Sequence, residues 1–213
     1  MNRFTKQIMV FSCLLFSAGL FGQSYVGAFA GLNSSKLSGD TPNKADYKSI
    51  MGANLGAFVD IKLGKSLWLS LQPSYSQEGT KIEYTVKGKE EPVDSIAVRL
   101  DYFSLPLLLK VSTPKGRFYA IGGMEGAYLL SSSQTSHNVE EDLDVTVKDF
   151  NIALHFGAGI HVPVGFPRLF FEVRYTQGLV NLTDDPIDNM LPRVKTNGFK
   201  VFAGIEIPLK KQN

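Results

Sequence analysis

The sequence predicts an all-β protein, an eight-stranded antiparallel transmembrane β-barrel preceded by a cleavable signal peptide. Three observations lead there. The chain opens on a charged and then apolar leader, eight strand-length segments of two-residue hydrophobic period follow, and the links between them alternate between short and long. Short links fall at 63–66, 113–116 and 163–168, and long polar links fall near 34–48, 78–95, 131–148 and 182–196. An even strand count with short turns at one end and long loops at the other is the pattern of a barrel that crosses a bacterial outer membrane.

In the leader, Arg3 and Lys6 precede an uncharged stretch from Ile8 to Phe21, and Gly22 precedes the polar Gln23-Ser24. This layout reads as a secretory signal over 1–22, cleaved after Gly22, with the barrel domain at 23–213. The apolar run falls short of the ~20 residues that a spanning helix needs. Cys13, the single cysteine, follows Val10-Phe11-Ser12, a poor lipobox, and belongs to the apolar leader. The mature chain then has no thiol chemistry and no disulfide framework. Removing the leader removes two of the 22 basic residues and none of the 20 acidic ones, leaving a formally neutral chain. Nucleic-acid binding, which needs a concentrated basic surface, is not expected.

Side chains on a strand alternate between two faces. The first strand, 25–33, is rich in Gly and Ala and rests mostly on its place in the series. In the second, Ala53, Leu55, Ala57, Val59 and Ile61 oppose Asn54, Phe58, Asp60 and Lys62. In the third, Leu67, Leu69, Leu71, Pro73 and Tyr75 oppose Trp68, Ser70, Gln72 and Ser74. The fourth sets Phe103, Leu105, Leu107, Leu109 and Val111 against Ser104, Pro106, Leu108 and Lys110. The fifth, 118–130, places Glu125 on the face of Tyr119, Ile121, Gly123 and Ala127.

The sixth sets Ile152, Leu154, Phe156 and Ile160 against Asn151, His155, Gly157 and His161. In the seventh, Leu169, Phe171, Val173 and Tyr175 oppose Phe170, Glu172, Arg174 and Thr176, and in the eighth Val201, Ala203, Ile205 and Ile207 oppose Lys200, Phe202, Gly204 and Glu206. One face is thus uncharged over the ~9–11 residues needed to cross hydrocarbon on a tilted strand. A soluble ligand-binding barrel would show the reverse pattern, apolar inside and polar outside.

Lipid offers no hydrogen-bond partner, so a spanning sheet must close. Eight strands leave an interior that side chains fill. Charges on the inner face must pair there, since a lone buried charge is costly. The expected interior charge network is Asp60, Lys62, Lys110, Glu125, Glu172, Arg174, Lys200 and Glu206, with pairing across neighbouring strands.

Candidate chemistry is sparse. His155 and His161 lie six residues apart on one strand, about 20 Å, too far to share one metal or one proton relay. Ser136-His137 are neighbours in a loop, and adjacency does not make a catalytic triad. Glu140-Glu141-Asp142 and Asp144 lack the glycine-turned spacing of a calcium loop and read as solvated charge, as does the mixed run at 87–91. No catalytic, cofactor or metal residue is assigned. Tyr25, Tyr75, Tyr84, Tyr102, Tyr119, Tyr128 and Tyr175 cluster near strand ends, where rings favour the headgroup interface.

Several stretches resemble the PorT-like outer-membrane β-barrel family of Bacteroidetes. The run Asp101-Tyr102-Phe103-Ser104-Leu105-Pro106-Leu107-Leu108-Leu109-Lys110 is similar to that family's fourth strand, and Val26-Gly27 with Gly31-Leu32-Asn33 is similar to its first. Gly157-Ala158-Gly159-Ile160, the run from Glu172 to Asn181, and Gly204-Ile205-Glu206-Ile207-Pro208-Leu209 resemble its last three. One departure is the tail Lys210-Lys211-Gln212-Asn213, where many barrels end on an aromatic residue. The resemblance implies location in the cell outer membrane of a Gram-negative organism, with some relatives linked to secretion and gliding.

The expected role is non-enzymatic, structural or interactive, exercised through long extracellular loops. Expected partners are outer-membrane lipid, the barrel assembly machinery, and envelope or secretion-machinery proteins; no cofactor is expected. The alternatives are a small-solute channel and, behind it, a lipid-A-modifying enzyme.

Overall fold

A computed structural model describes residues 24–39, 45–84, 94–136, 139–142, 148–163, 165–182 and 194–209. Its strands are β1 (Ser24–Gly39), β2 (Ala45–Lys62), β3 (Leu67–Leu71), β4 (Ser74–Tyr84) and β5 (Asp94–Ser112). They continue as β6 (Phe118–Ser136), β7 (Val139–Asp142), β8 (Phe150–Val162), β9 (Arg168–Gly178) and β10 (Val194–Pro208). All pairings are antiparallel. β1 pairs with β2 on one side and with β10 on the other, from Tyr25↔Pro208 to Gly39↔Val194, so the sheet closes on itself.

The ten segments make an eight-stranded ring with one short addition. β3 and β4 lie end to end between β2 and β5 and form one barrel strand, interrupted at Gln72-Pro73. Proline has no N–H to give to a ladder. Pairing nevertheless continues through the break, because Ala57 N donates to Pro73 O at 3.0 Å and Gln72 N donates to Pro106 O at 3.0 Å. β7 pairs with residues 133–136 of β6 and extends the rim.

The two faces separate as the alternation predicts, in the first and fifth strands as well. Leu55, Leu107, Val173 and Val201 each leave half or more of their surface outside, whereas Asp60, Glu125 and Lys200 are at most 3% exposed. Charge is inside and hydrocarbon outside because the solvent around this sheet is lipid. Inward glycines let large rings lie flat across the lumen. A Cβ on Gly204 would stand 2.5 Å from Phe170 Cε1, within the cluster of Phe29, Phe58, Phe170 and Phe202.

Two expectations are corrected. The links at 34–48, 78–95 and 131–148 begin as paired strand: β1 runs to Gly39, β4 to Tyr84 and β6 to Ser136. Beyond the lipid, both faces of a strand can be polar, so the alternation that marks the crossing segment stops before the strand does. The tyrosine girdle also loses two members. Tyr102 and Tyr119 are 1% and 3% exposed and point inward, where Tyr102 packs on Leu100, Ala127, Leu182 and Val194. Tyr75 and Tyr128 stay exposed. The leader 1–22, the pair at 136–137, the run at 87–91 and the tail from 210 lie wholly or partly outside the described residues.

Candidate functional site

Along β9 the inward positions run Arg168, Phe170, Glu172, Arg174 and Thr176, and they order the interior from the short-turn end to the loop end. At the short-turn end, Lys110 Nζ meets Asp60 Oδ2 at 2.5 Å, with the ammonium 4.7 Å from the Tyr119 ring centroid. Arg168 Nη2 meets Glu206 Oε1 at 2.6 Å, His161 Nε2 stands 3.3 Å from the same oxygen, and Arg168 stacks over Tyr25 at 4.3 Å. The four buried phenylalanines lie above this level.

In the middle, Glu172 pairs with Arg174 on its own strand and accepts a 2.7 Å hydrogen bond from Tyr119 Oη. Arg174 Nη2 donates to Gln72 Oε1 at 2.6 Å from across the ring, and its guanidinium lies 4.7 Å from the Phe202 ring centroid. Toward the loop end, Lys200 Nζ lies 2.9 Å from Glu78 Oε1 and 3.9 Å from Glu125 Oε2. Glu125 also meets His155 Nε2 at 3.1 Å, and His155 Nδ1 contacts Thr176 Oγ1 at 3.2 Å.

Each charge pairs because a lone ion in this interior would keep its full desolvation cost. The eight residues expected inside are therefore dispersed over three levels and not gathered at one point. Asp60, Lys110, Glu125, Glu172, Arg174, Lys200 and Glu206 are all buried; Lys62 is half-buried and lies over the Trp68 ring at 5.4 Å. Pairing between neighbouring strands was expected for Glu172, Arg174, Lys200 and Glu206. Glu206 does meet Arg168 of adjacent β9, but Glu172 and Arg174 satisfy each other along one strand. Lys200 reaches past two strands to Glu78.

Glu78, Gln72, His155, His161, Arg168 and Thr176 complete these clusters and were not assigned from sequence. Glu78 had a signal, since Ser74, Ser76, Glu78 and Thr80 continue the inward parity of the third strand. Thr176, His155 and Glu125 line up in the order of a hydroxyl, a base and an orienting carboxylate. All three are at most 3% exposed, and Glu125 is shared with Lys200. Among the described residues, no group of three His, Cys, Asp or Glu could hold a metal ion.

Both ends are distinctive. At the loop end, Leu182 N donates to Val194 O at 2.9 Å and Lys148 N donates to Leu182 O at 2.9 Å, which draws Leu182 inward over Leu100 and Tyr102. At the short-turn end, a cavity of about 430 Å³ opens beside Asp60, Lys65, Lys110, Lys115, Arg168 and Glu206.

The solved structures of similar shape are membrane barrels of low sequence identity. Ail, the attachment invasion locus protein of Yersinia pestis, is 18% identical over 88% of this chain and 100% of its own, with a TM-score of 0.45. Neisserial surface protein A is 13% identical over 86% and 98%, with a TM-score of 0.47. OprG from Pseudomonas aeruginosa is 12% identical over 90% and 97%, with a TM-score of 0.44. No curated protein matches the chain. A family profile described as outer membrane protein beta-barrel domain matches residues 21–184. With a closed sheet, an apolar exterior and a charged interior, the chain is an outer-membrane β-barrel and belongs to the outer membrane protein beta-barrel domain family.

Proposed function

We propose that this barrel is a non-enzymatic structural or interaction protein of the envelope, with its long-loop end as the contact surface. The observation that carries the reading is the length of the strands at that end. β5 and β6 are 19 residues each, well beyond the ~9–11 needed to cross the membrane, and their surplus stays hydrogen-bonded up to Ile96↔Ser136. A paired collar outside the lipid fixes the points from which the loops depart, which lowers the ordering cost of binding a partner.

In this reading both mature termini and the turns at 63–66, 113–116 and 163–168 are periplasmic, and the collar faces outward. The leader delivers the chain to the barrel assembly machinery, and the resemblance to PorT-like barrels favours envelope or secretion-machinery proteins as the partner class. The interior supports this role over transport. Arg174 spans from Glu172 to Gln72 at mid-height, and the phenylalanine cluster fills the level below.

Planar-bilayer recording on purified protein tests the reading. A silent bilayer is expected; stable conductance steps of one size would replace it with small-solute transport. Cross-linking from cysteines placed in the loop collar, at Arg99 or Ser131, should then recover an envelope protein from intact cells.

A further inference from the structure

The short-turn end carries charge of one sign. Its turns contribute Lys62, Lys65, Lys115, Arg117 and Arg168, and residues 61–68, 111–118 and 161–169 contain no Asp or Glu. The two acids nearest this end, Asp60 and Glu206, are 2% and 1% exposed and already paired to Lys110 and Arg168 inside the barrel. Lys65, Lys115 and Arg117 are exposed. The opposite end is mixed: the links at 34–48, 78–95, 131–148 and 182–196 contain both signs, with acids in excess.

Height matters as much as sign. The apolar exterior runs directly into these turns, with Leu63, Val111, Phe118 and Phe166 at 48%, 51%, 55% and 75% exposed. Leu63 N donates to Leu67 O at 2.9 Å and Gly116 N donates to Thr113 O at 2.7 Å, so these two turns are tight. Lys65, Lys115 and Arg117 each lie within a few residues of an outward apolar side chain. They therefore stand where hydrocarbon gives way to headgroups, the level at which lipid phosphates lie.

We propose that the short-turn rim is a lipid-phosphate collar, in which Lys65, Lys115 and Arg117 bind the headgroups of anionic phospholipid in the adjoining leaflet. Exposed apolar side chains at Leu63, Phe118 and Phe166 hold the rim at that depth, and the cations supply the preference for negative over zwitterionic lipid. Flexible lysine ammonium groups suit phosphates whose positions shift, and Arg117 adds a planar fork that takes two oxygens at once. The collar also favours one orientation, because the acid-rich loop end gains nothing from an anionic surface.

The test uses the full mature barrel in nanodiscs of phosphatidylcholine containing a minor fraction of phosphatidylglycerol. The readout is enrichment of spin-labelled phosphatidylglycerol over spin-labelled phosphatidylcholine in the layer against the protein. Enrichment of several-fold is expected, falling as salt rises. In the triple variant Lys65→Gln, Lys115→Gln, Arg117→Gln the enrichment should fall to none, since each cation near an anionic surface contributes up to about five-fold. Arg99→Gln, at the loop end, should leave it unchanged. Heat-modifiable gel mobility confirms that each variant is folded. Equal retention of both lipids by the wild type, or unchanged enrichment in the triple variant, overturns the proposal. So does full competition by millimolar inorganic phosphate, which would reassign the rim to free anions.

Discussion

Lys200 on β10 and Glu78 on β4 meet at 2.9 Å across the barrel interior, although β1 and β2 stand between their strands. Contacts of this kind tie non-adjacent staves together, which a backbone ladder between neighbours cannot do. Lys200→Met leaves Glu78 and Glu125 without their cation, and a buried pair broken at one partner costs about 3–5 kcal/mol. The midpoint of heat-modifiable gel mobility should drop for Lys200→Met. It should recover partly in Lys200→Met with Glu78→Leu, because the second change removes one of the stranded charges. A double-mutant cycle that shows simple additivity would sink the pairing.

Arg174→Leu should be as damaging, since it strands Glu172 and Gln72 and removes the guanidinium from the Phe202 face. Val173, one residue earlier, points to lipid and is 52% exposed. Val173→Leu should change the unfolding midpoint little, whereas Val173→Arg should cost about 2–4 kcal/mol near mid-membrane. Urea titration in lipid vesicles measures all three. Tolerance of Val173→Arg together with a neutral Arg174→Leu would invert the inside and outside of this strand.

Gly204→Ala should destabilise the barrel by about 1–3 kcal/mol through overpacking. The new methyl meets Phe170 Cε1 at 2.5 Å and Cζ at 2.7 Å, and that ring is held edge-on by Phe58 at 5.5 Å. Ala203→Val, the neighbouring change on the lipid face, adds two methyls at an exposed position and should be neutral by the same titration.

Leu182→Ala should loosen the loop end before it loosens the barrel. Leu182 is 3% exposed among Leu100, Tyr102 and Val194, and removing buried branched carbons costs about 2–5 kcal/mol. Faster protease cleavage near residue 182, at an unchanged barrel unfolding midpoint, is the expected outcome. A simultaneous fall in the midpoint would show that this segment is part of the barrel's cooperative unit.

Much of this protein is legible in its sequence because the membrane imposes a simple rule. Wherever lipid touches a strand, every second residue must be apolar, so Leu105-Leu107-Leu109 and Phe171-Val173-Tyr175 declare an outer face and, by exclusion, place Lys110, Glu172 and Arg174 inside. Closure, strand order and the side of each side chain follow from that rule and from hydrogen bonding. Where lipid ends, the rule ends with it. The upper parts of β1, β4, β5 and β6 carry no outward apolar alternation, because water tolerates polar groups on both faces.

The identity of each ion's partner was decided by the tertiary structure alone. Parity states that Lys200 points inward, but shear between strands and the curvature of the ring determine whether it meets Arg174 beside it or Glu78 across the lumen. The same holds for Tyr102, whose place near a strand end suggested the interface and whose ring instead completes the buried cluster under Leu182. A one-dimensional pattern carries the direction of a side chain, because direction is local. The distance between two side chains on distant staves is set by how the whole sheet closes.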